Sequence, residues 1–238
     1  MLTLKFSKQL KPLDVSNGTI EVLKWIALAL MTLDHVNTFL YERTLFGAYE
    51  LGRLSMPLFS FVFAFNLARP NALKNGVHGR MMQRLAVFGL LATPFYMKLA
   101  ALPGGWLPLN IMFTFFVATA VIGLFQRGRT ADAVAGILIF LGGGAVVDYQ
   151  WYGLILCFAA WWYCRAPGWL SGALLLAAAA LLYPVNGNFW AMAAVPLMIA
   201  APTMRFHMPR LRYAFYIYYP AHLVVLTVLA RLSDIGHQ

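Results

Sequence analysis

Long apolar stretches alternate with short polar breaks along the whole chain. Residues 1–19 are polar to mixed and include Lys5, Lys8 and Lys11. Apolar stretches then run near 20–41, 53–69, 84–102, 107–126, 132–148, 150–164, 168–183, 189–203 and 211–231. Each holds about 14–22 residues, against the roughly 20 that a spanning helix needs; 150–164 and 189–203 are among the shortest. Turn signals part them, among them Pro70-Asn71, Pro103-Gly104-Gly105, Arg127-Gly128-Arg129, Pro167-Gly168, Asn186-Gly187-Asn188 and Pro209. The pattern predicts an all-α, polytopic transmembrane helix bundle of about nine spans. It divides the chain into an N-terminal segment 1–19, a single transmembrane domain 20–231 and a short tail 232–238. The first stretch is too long for the core of a cleaved signal and many others follow it, so it reads as a retained span. No internal repeat or linker interrupts the pattern, and loops of about 3–15 residues leave no room for a soluble catalytic domain.

Composition narrows the class. Of 238 residues, 61% are hydrophobic and only 11% are charged, with a mean hydropathy of +0.70. These values exclude a soluble globular domain, a disordered chain, a coiled coil and a disulfide scaffold. Cys157 and Cys164 lie seven residues apart in one stretch, about 10 Å along a helix, which is too far for an intrachain disulfide and suits packing on one face. No Cys/His spacing suggests a metal site.

Charge then gives the orientation. Eighteen Lys+Arg against eight Asp+Glu leave a net +10. The basic residues come in short groups between apolar stretches, which points to topology rather than to nucleic acid. With the N-terminus in the cytoplasm, fourteen of the eighteen fall in cytoplasmic segments and four (Arg43, Arg53, Lys98 and Arg231) fall outside. A missing or extra span would spoil that alternation. Nine spans therefore predict a cytoplasmic N-terminus and a C-terminus on the outer side.

Ionisable residues inside spans cost about 2.5–3.5 kcal/mol each on insertion scales and are functional candidates by default. The first stretch is richest, with Lys24, Asp34, His35 and Asn37. Lys24 and His35 are 11 residues apart, so they share a helix face about 16 Å apart along the axis. Lys24 has a plainer reading as an interfacial anchor, and Asp34 has a candidate partner in Arg53. In the last stretch His222 lies ten residues beyond Arg212, at about the depth of His35, beside Tyr219 and Pro220. At the outer side Arg53, Asn110 and Asp148 suggest a polar pocket, although each alone reads as a loop or capping residue. Arg80, Arg84, Arg127 and Arg212 are cytoplasmic cations that could face an anionic ligand or serve topology alone.

At these residues the chain resembles a known family. Leu23-Lys24-Trp25-Ile26-Ala27 followed by Met31-Thr32-Leu33-Asp34-His35 is similar to the opening of the TraX-type conjugative pilin N-acetyltransferases. Gly52-Arg53-Leu54-Ser55-Met56-Pro57, Asn66-Leu67-Ala68-Arg69, Asn110-Ile111-Met112-Phe113-Thr114 and Asp148-Tyr149 resemble later parts of the same family. Lys24 and His35 also resemble the basic-x10-His motif of the wider membrane acyltransferase-3 group, where arginine is usual at the first position. Tyr219-Pro220-Ala221-His222 looks loosely like that group's last-span pattern.

The resemblance implies an integral-membrane acetyltransferase of the bacterial inner membrane, its C-terminus periplasmic, that takes acetyl from cytoplasmic acetyl-CoA to the N-terminal amine of a pilin subunit. It implies His35 as general base, with Asp34 balancing charge and His222 or a tyrosine stabilising the oxyanion. Lys24, Arg80, Arg84, Arg127 and Arg212 would bind the donor, and Arg53, Asn110, Asp148 and Tyr219 the acceptor. Direct transfer and an acetyl-imidazole intermediate both stay open. O-acetylation of a glycan or lipid is an alternative, as is a proton-coupled transporter or a structural factor of the pilus machinery.

Overall fold

The computed structural model describes residues 12–101, 105–211 and 213–236, and of 233–236 the backbone alone. In these residues α1 (Asn17–Leu40), α2 (Phe46–Gly52), α3 (Ser55–Ala68), α4 (Val77–Leu99), α5 (Ile111–Arg127) and α6 (Thr130–Val146) are followed by α7 (Gln150–Arg165), α8 (Trp169–Ala180), α9 (Tyr183–Asn186), α10 (Ala194–Ala200) and α11 (Ala214–Gly236). Among the described residues there is no strand, only an isolated parallel bridge between Leu109 and Val147. The all-α expectation holds.

The helices start where the sequence supplies partners for orphan backbone groups. Ser16 caps α1 by accepting from the Thr19 N–H at 3.1 Å, and Asn110 caps α5 by accepting from Met112 N–H at 3.1 Å. Gly128 ends α5 in the left-handed conformation, φ 71°, which only glycine adopts at no steric cost.

Each of the nine apolar stretches contains a helix, but not on equal terms. Three runs are long and apolar enough to cross a membrane: Phe46–Ala68, Trp169–Asn186 and Ala214–Leu232. Ile111–Arg127, Thr130–Val146 and Trp190–Thr203 are shorter apolar helices. The second stretch, expected to open at 53, begins at Phe46 as α2 and turns at Arg53-Leu54 into α3. The eighth is broken, with 3-10 turns at Trp190–Ala193 and Ala201–Thr203 on either side of the seven-residue α10.

The core sits around α3, whose Leu58, Phe61 and Ala64 are fully buried. It packs against α1 and α7, while α11 lies against α1 and α4. The first and last helices run side by side in the same direction. Trp25 lies 5.4 Å from Phe215 between ring centroids, Thr32 Oγ1 is 2.8 Å from Tyr218 Oη, and His35 meets His222. The exterior is apolar, with Leu90, Leu138, Trp169 and Val225 more than half exposed. Glu21, Asp34, Asn37, Arg53, Asn110 and His222 are buried instead. Charge inside and hydrocarbon outside is the distribution a lipid environment selects.

Candidate active site

A cavity of about 440 Å³ runs between α1, α3, α4, α5 and α11. Its wall includes Lys24, Asn66, Arg69, Arg80, Arg84 and Arg210 at one end. Asp34, His35, Tyr96, Asp148, Tyr149 and Tyr219 line it as well. Lys24 and His35 fix its length, since 11 helical residues rise about 16 Å. Between them the lining is apolar, with Leu28, Met31, Phe59, Val62 and Phe63.

The His35 end is a chain of hydrogen bonds with one consistent proton order. His222 Nδ1 is 3.1 Å from the Tyr218 carbonyl oxygen, which can only accept, so this nitrogen carries the proton. In the neutral ring the Nε2 of His222 is then an acceptor. His35 Nδ1 lies 2.8 Å from that Nε2 and donates to it. The lone pair of neutral His35 is therefore left on Nε2, the arrangement a general base needs. The two rings lie edge to edge and nearly coplanar, 5.1 Å between centroids and 15° between planes, as an in-plane N–H···N bond requires, and the Tyr218 ring lies 5.4 Å from that of His222. His222 is buried behind His35 and does not line the cavity.

Asp34 points to a different partner. Arg53 Nη2 donates to Asp34 Oδ1 in a buried ion pair. The guanidinium also donates from Nε to the Tyr49 carbonyl at 3.2 Å, reaches Asn186 Oδ1 at 3.4 Å and lies 4.3 Å over the Tyr49 ring. Tyr49 Oη donates to the Asn186 carbonyl at 2.7 Å. Gly52 admits this contact, because a Cβ there would come within 2.4 Å of the Asp34 Cβ. Asn37 closes the adjoining turn by bonding both the Leu45 N–H and its carbonyl at 3.0 Å. The carboxylate of Asp34 thus ties α1 to the α2–α3 bend, beside His35 but not bonded to it.

The other end is differently provided. Lys24 Nζ pairs with Glu21 Oε1 at 2.6 Å and sits 4.8 Å over the Phe215 ring. Arg69 donates to Asn17 Oδ1 at 2.6 Å, and Arg210 reaches Asn66 Oδ1 at 3.5 Å. Arg84 lies 4.7 Å over the Tyr213 ring. Among the described residues no carboxylate stands within ion-pair distance of Arg69, Arg80, Arg84 or Arg210. Four guanidinium groups at a cavity wall without an acidic partner suit an anionic ligand.

Of the residues singled out in the sequence, the structure brings Lys24, Asp34, His35, Arg80, Arg84, Asp148 and Tyr219 to one cavity, with His222 and Arg53 directly behind it. It does not bring Asn110 or Arg127 there. Asn110 is buried as the α5 cap and donates to the Gly89 carbonyl at 3.0 Å and to Thr93 at 3.1 Å. Arg127 lies 3.8 Å from Asp132 across the α5–α6 turn. Arg212 lies outside the described residues. Sequence reasoning assigned no role to Glu21, Tyr96 or Asn186, and met Asn66 only within a family-like segment. Asn186 was legible only as half of an Asn-Gly turn, and Glu21 only as the polar edge of the first stretch.

With the geometry in place, known proteins can be set beside the chain. A family model described as "TraX protein" matches residues 19–230. A "Protein TraX" of Escherichia coli is 28% identical over 230 residues, covering 90% of this chain and 88% of that protein. A second "Protein TraX", from Escherichia coli strain K12, is 34% identical over 124 residues, or 50% of this chain and 46% of that one. A "Probable fimbrial assembly protein FimC, serogroup H1" of Dichelobacter nodosus is 28% identical over 237 residues, covering 86% and 92%. No solved structure matches.

Proposed function

The chain belongs to the TraX family, and from that premise we propose that it is an integral-membrane acetyltransferase, moving acetyl from acetyl-CoA to the N-terminal amine of a pilin subunit. The observation that carries this reading is one cavity with guanidinium groups at one end that have no acidic partner among the described residues, and His35, hydrogen-bonded to His222, on its wall. A family relative with a fimbrial assembly name agrees with a pilin-type acceptor.

In this reading Arg80, Arg84, Arg69 and Arg210 face the cytoplasm and hold the phosphates of the donor as charge-assisted hydrogen-bond donors. The apolar stretch between Lys24 and His35 accommodates the pantetheine arm and keeps water from the thioester. The acceptor arrives as an ammonium and loses one proton to solvent. Its nitrogen forms a bond to the thioester carbonyl carbon, and the carbon–sulfur bond breaks. His35 Nε2 takes the second proton from the attacking nitrogen and returns it to the departing sulfur. His222 acts on His35 as a positioning residue: its Nε2 holds the Nδ1 proton and stabilises the imidazolium formed in passing. Asp34 holds α1 against the α2–α3 bend. The nine-span topology belongs to the same proposal. The parallel run of α1 and α11 supports it, since first and last helices that point the same way imply an odd number of crossings.

Intact-mass measurement of co-expressed pilin tests this directly. The mass of one acetyl group should appear with the wild-type protein and be absent without it. His35→Ala, inserted at wild-type levels, should lower the acetylated fraction by about 10²–10⁴-fold in rate, the range for a lost general base. Unmodified pilin beside the wild-type protein overturns the reaction, and full acetylation beside His35→Ala overturns the role of His35.

A further inference from the structure

Asp148 occupies the turn between α6 and α7, and its backbone is pinned. Its N–H donates to the Leu109 carbonyl at 2.7 Å and its carbonyl accepts from Thr114 Oγ1 at 2.6 Å. One side-chain oxygen, Oδ1, accepts from the Tyr149 N–H at 2.9 Å. Oδ2 accepts no hydrogen bond from the described residues, and none of their Lys, Arg or His side chains is within ion-pair distance. Arg53, whose field reaches this carboxylate, is tied to Asp34. Asp148 is half-buried at the cavity wall, and a carboxylate drawn partly out of bulk water without a counter-charge is stabilised by a cation that completes it.

Its surroundings say what would complete it. Tyr96, Tyr149 and Tyr219 line the same cavity as Asp148, and Tyr149 follows it directly in the chain. Aromatic rings in the wall of a cavity that also holds a carboxylate add quadrupole attraction for a compact cation to the attraction of the charge. Tyr219 also packs on His222, 5.3 Å between centroids, and His222 bonds His35. Carboxylate, rings and base therefore belong to one end of the cavity, away from the guanidinium groups.

We propose that Asp148, with Tyr96, Tyr149 and Tyr219, forms a subsite for a primary ammonium group. This rests on the acetyltransferase reading and deepens it: the acceptor is selected as a cation before it loses its proton, and a neutral hydroxyl acceptor is selected against. The fixed part of Asp148, its backbone and Oδ1, builds the turn; Oδ2 is the part left for the ligand.

The test uses the purified full-length protein in detergent and two synthetic peptides. One begins with a free α-amine; in the other an α-hydroxy acid replaces that first residue. Binding of each is measured without donor, and acetyl transfer from acetyl-CoA is measured separately. The wild-type protein should bind the amine about tenfold or more tightly than the hydroxyl peptide, the worth of a charge-assisted hydrogen bond. Asp148→Asn, which keeps the shape and the Oδ1 acceptor, should abolish that preference by lowering the amine peptide's affinity about tenfold. Equal affinity of the two peptides for the wild type overturns the subsite, a comparison independent of how any variant folds. A preference retained in Asp148→Asn overturns it too. An Asp148-dependent preference without any acetyl transfer upholds the subsite and refutes the transferase; transfer without the preference does the reverse.

Discussion

The two ends of the cavity treat charge in opposite ways. Around Asp34 and His35 the polar groups, the open Oδ2 of Asp148 apart, have partners supplied by the chain itself: Arg53 for Asp34, Asn186 and Tyr49 for Arg53, His222 for His35, and Tyr218 for His222. Around Lys24 only that lysine has a carboxylate, while Arg69, Arg80, Arg84 and Arg210 have none among the described residues. Charges neutralised inside the fold set geometry. Charges left open wait for something the fold does not contain. Identical residue types thus do different work, and partnership rather than identity separates them.

The sharpest break of that contrast is to open the closed end. Arg53→Leu strands the Asp34 carboxylate in the interior and should cost about 3–5 kcal/mol, the range for removing one member of a buried pair. Replacing Asp34 and Arg53 together by apolar residues should recover most of the loss, because no unpaired charge then remains. Thermal unfolding in detergent measures both. A single variant as stable as the wild type would show that the pair does not set the frame.

How far the sequence foretold these two ends follows from the same contrast. The open end was legible, because the positive-inside pattern marks basic residues one by one and needs no contact between helices. Even so, Arg127 was grouped with Arg80 and Arg84 because a charge count cannot see that it turns toward Asp132. The closed end was half legible. Asp34, His35 and His222 stand out as ionisable residues in apolar stretches, and Arg53 was the natural partner for Asp34. What brings His35 to His222 is the parallel packing of α1 on α11, a contact across 187 residues that periodicity does not encode. Asn186 shows the limit best. Asn188, two residues on and part of the same turn signal, only caps a turn by accepting from Trp190 N–H. The bend between α2 and α3 and the broken helix at 189–203 escaped for a related reason: hydropathy marks a stretch as apolar but not where it bends.

The next test sharpens the closed end without opening it. His222→Leu removes the acceptor that holds the Nδ1 proton of His35, so the tautomer with its lone pair on Nε2 is no longer fixed. Loss of a hydrogen bond to a group that becomes charged costs about 1.5–3 kcal/mol, or roughly tenfold to a hundredfold in kcat. The KM for acetyl-CoA should stay as it is, because His222 does not line the cavity. His222→Gln should restore part of the rate, its amide oxygen standing in for Nε2. An equal loss in both variants would mark His222 as packing alone.

The smallest effect is expected at the open end, and it is the one that defines that end. Arg84 lies 4.7 Å over Tyr213, partly exposed, so its contact with an anionic donor is screened and worth about 0.2–1 kcal/mol. Arg84→Ala should raise the KM for acetyl-CoA by a factor of about 1.4–5, with kcat unchanged. The difference should fade at high salt, where exposed charges are screened. Arg127→Ala supplies the contrast. It removes the same charge from the same end of the molecule, but from a side chain off the cavity wall. If both variants raise KM equally, the end acts as a diffuse positive field and the cavity lining has no special standing. If only Arg84→Ala does so, the open guanidinium groups are a binding site and the two ends differ in kind.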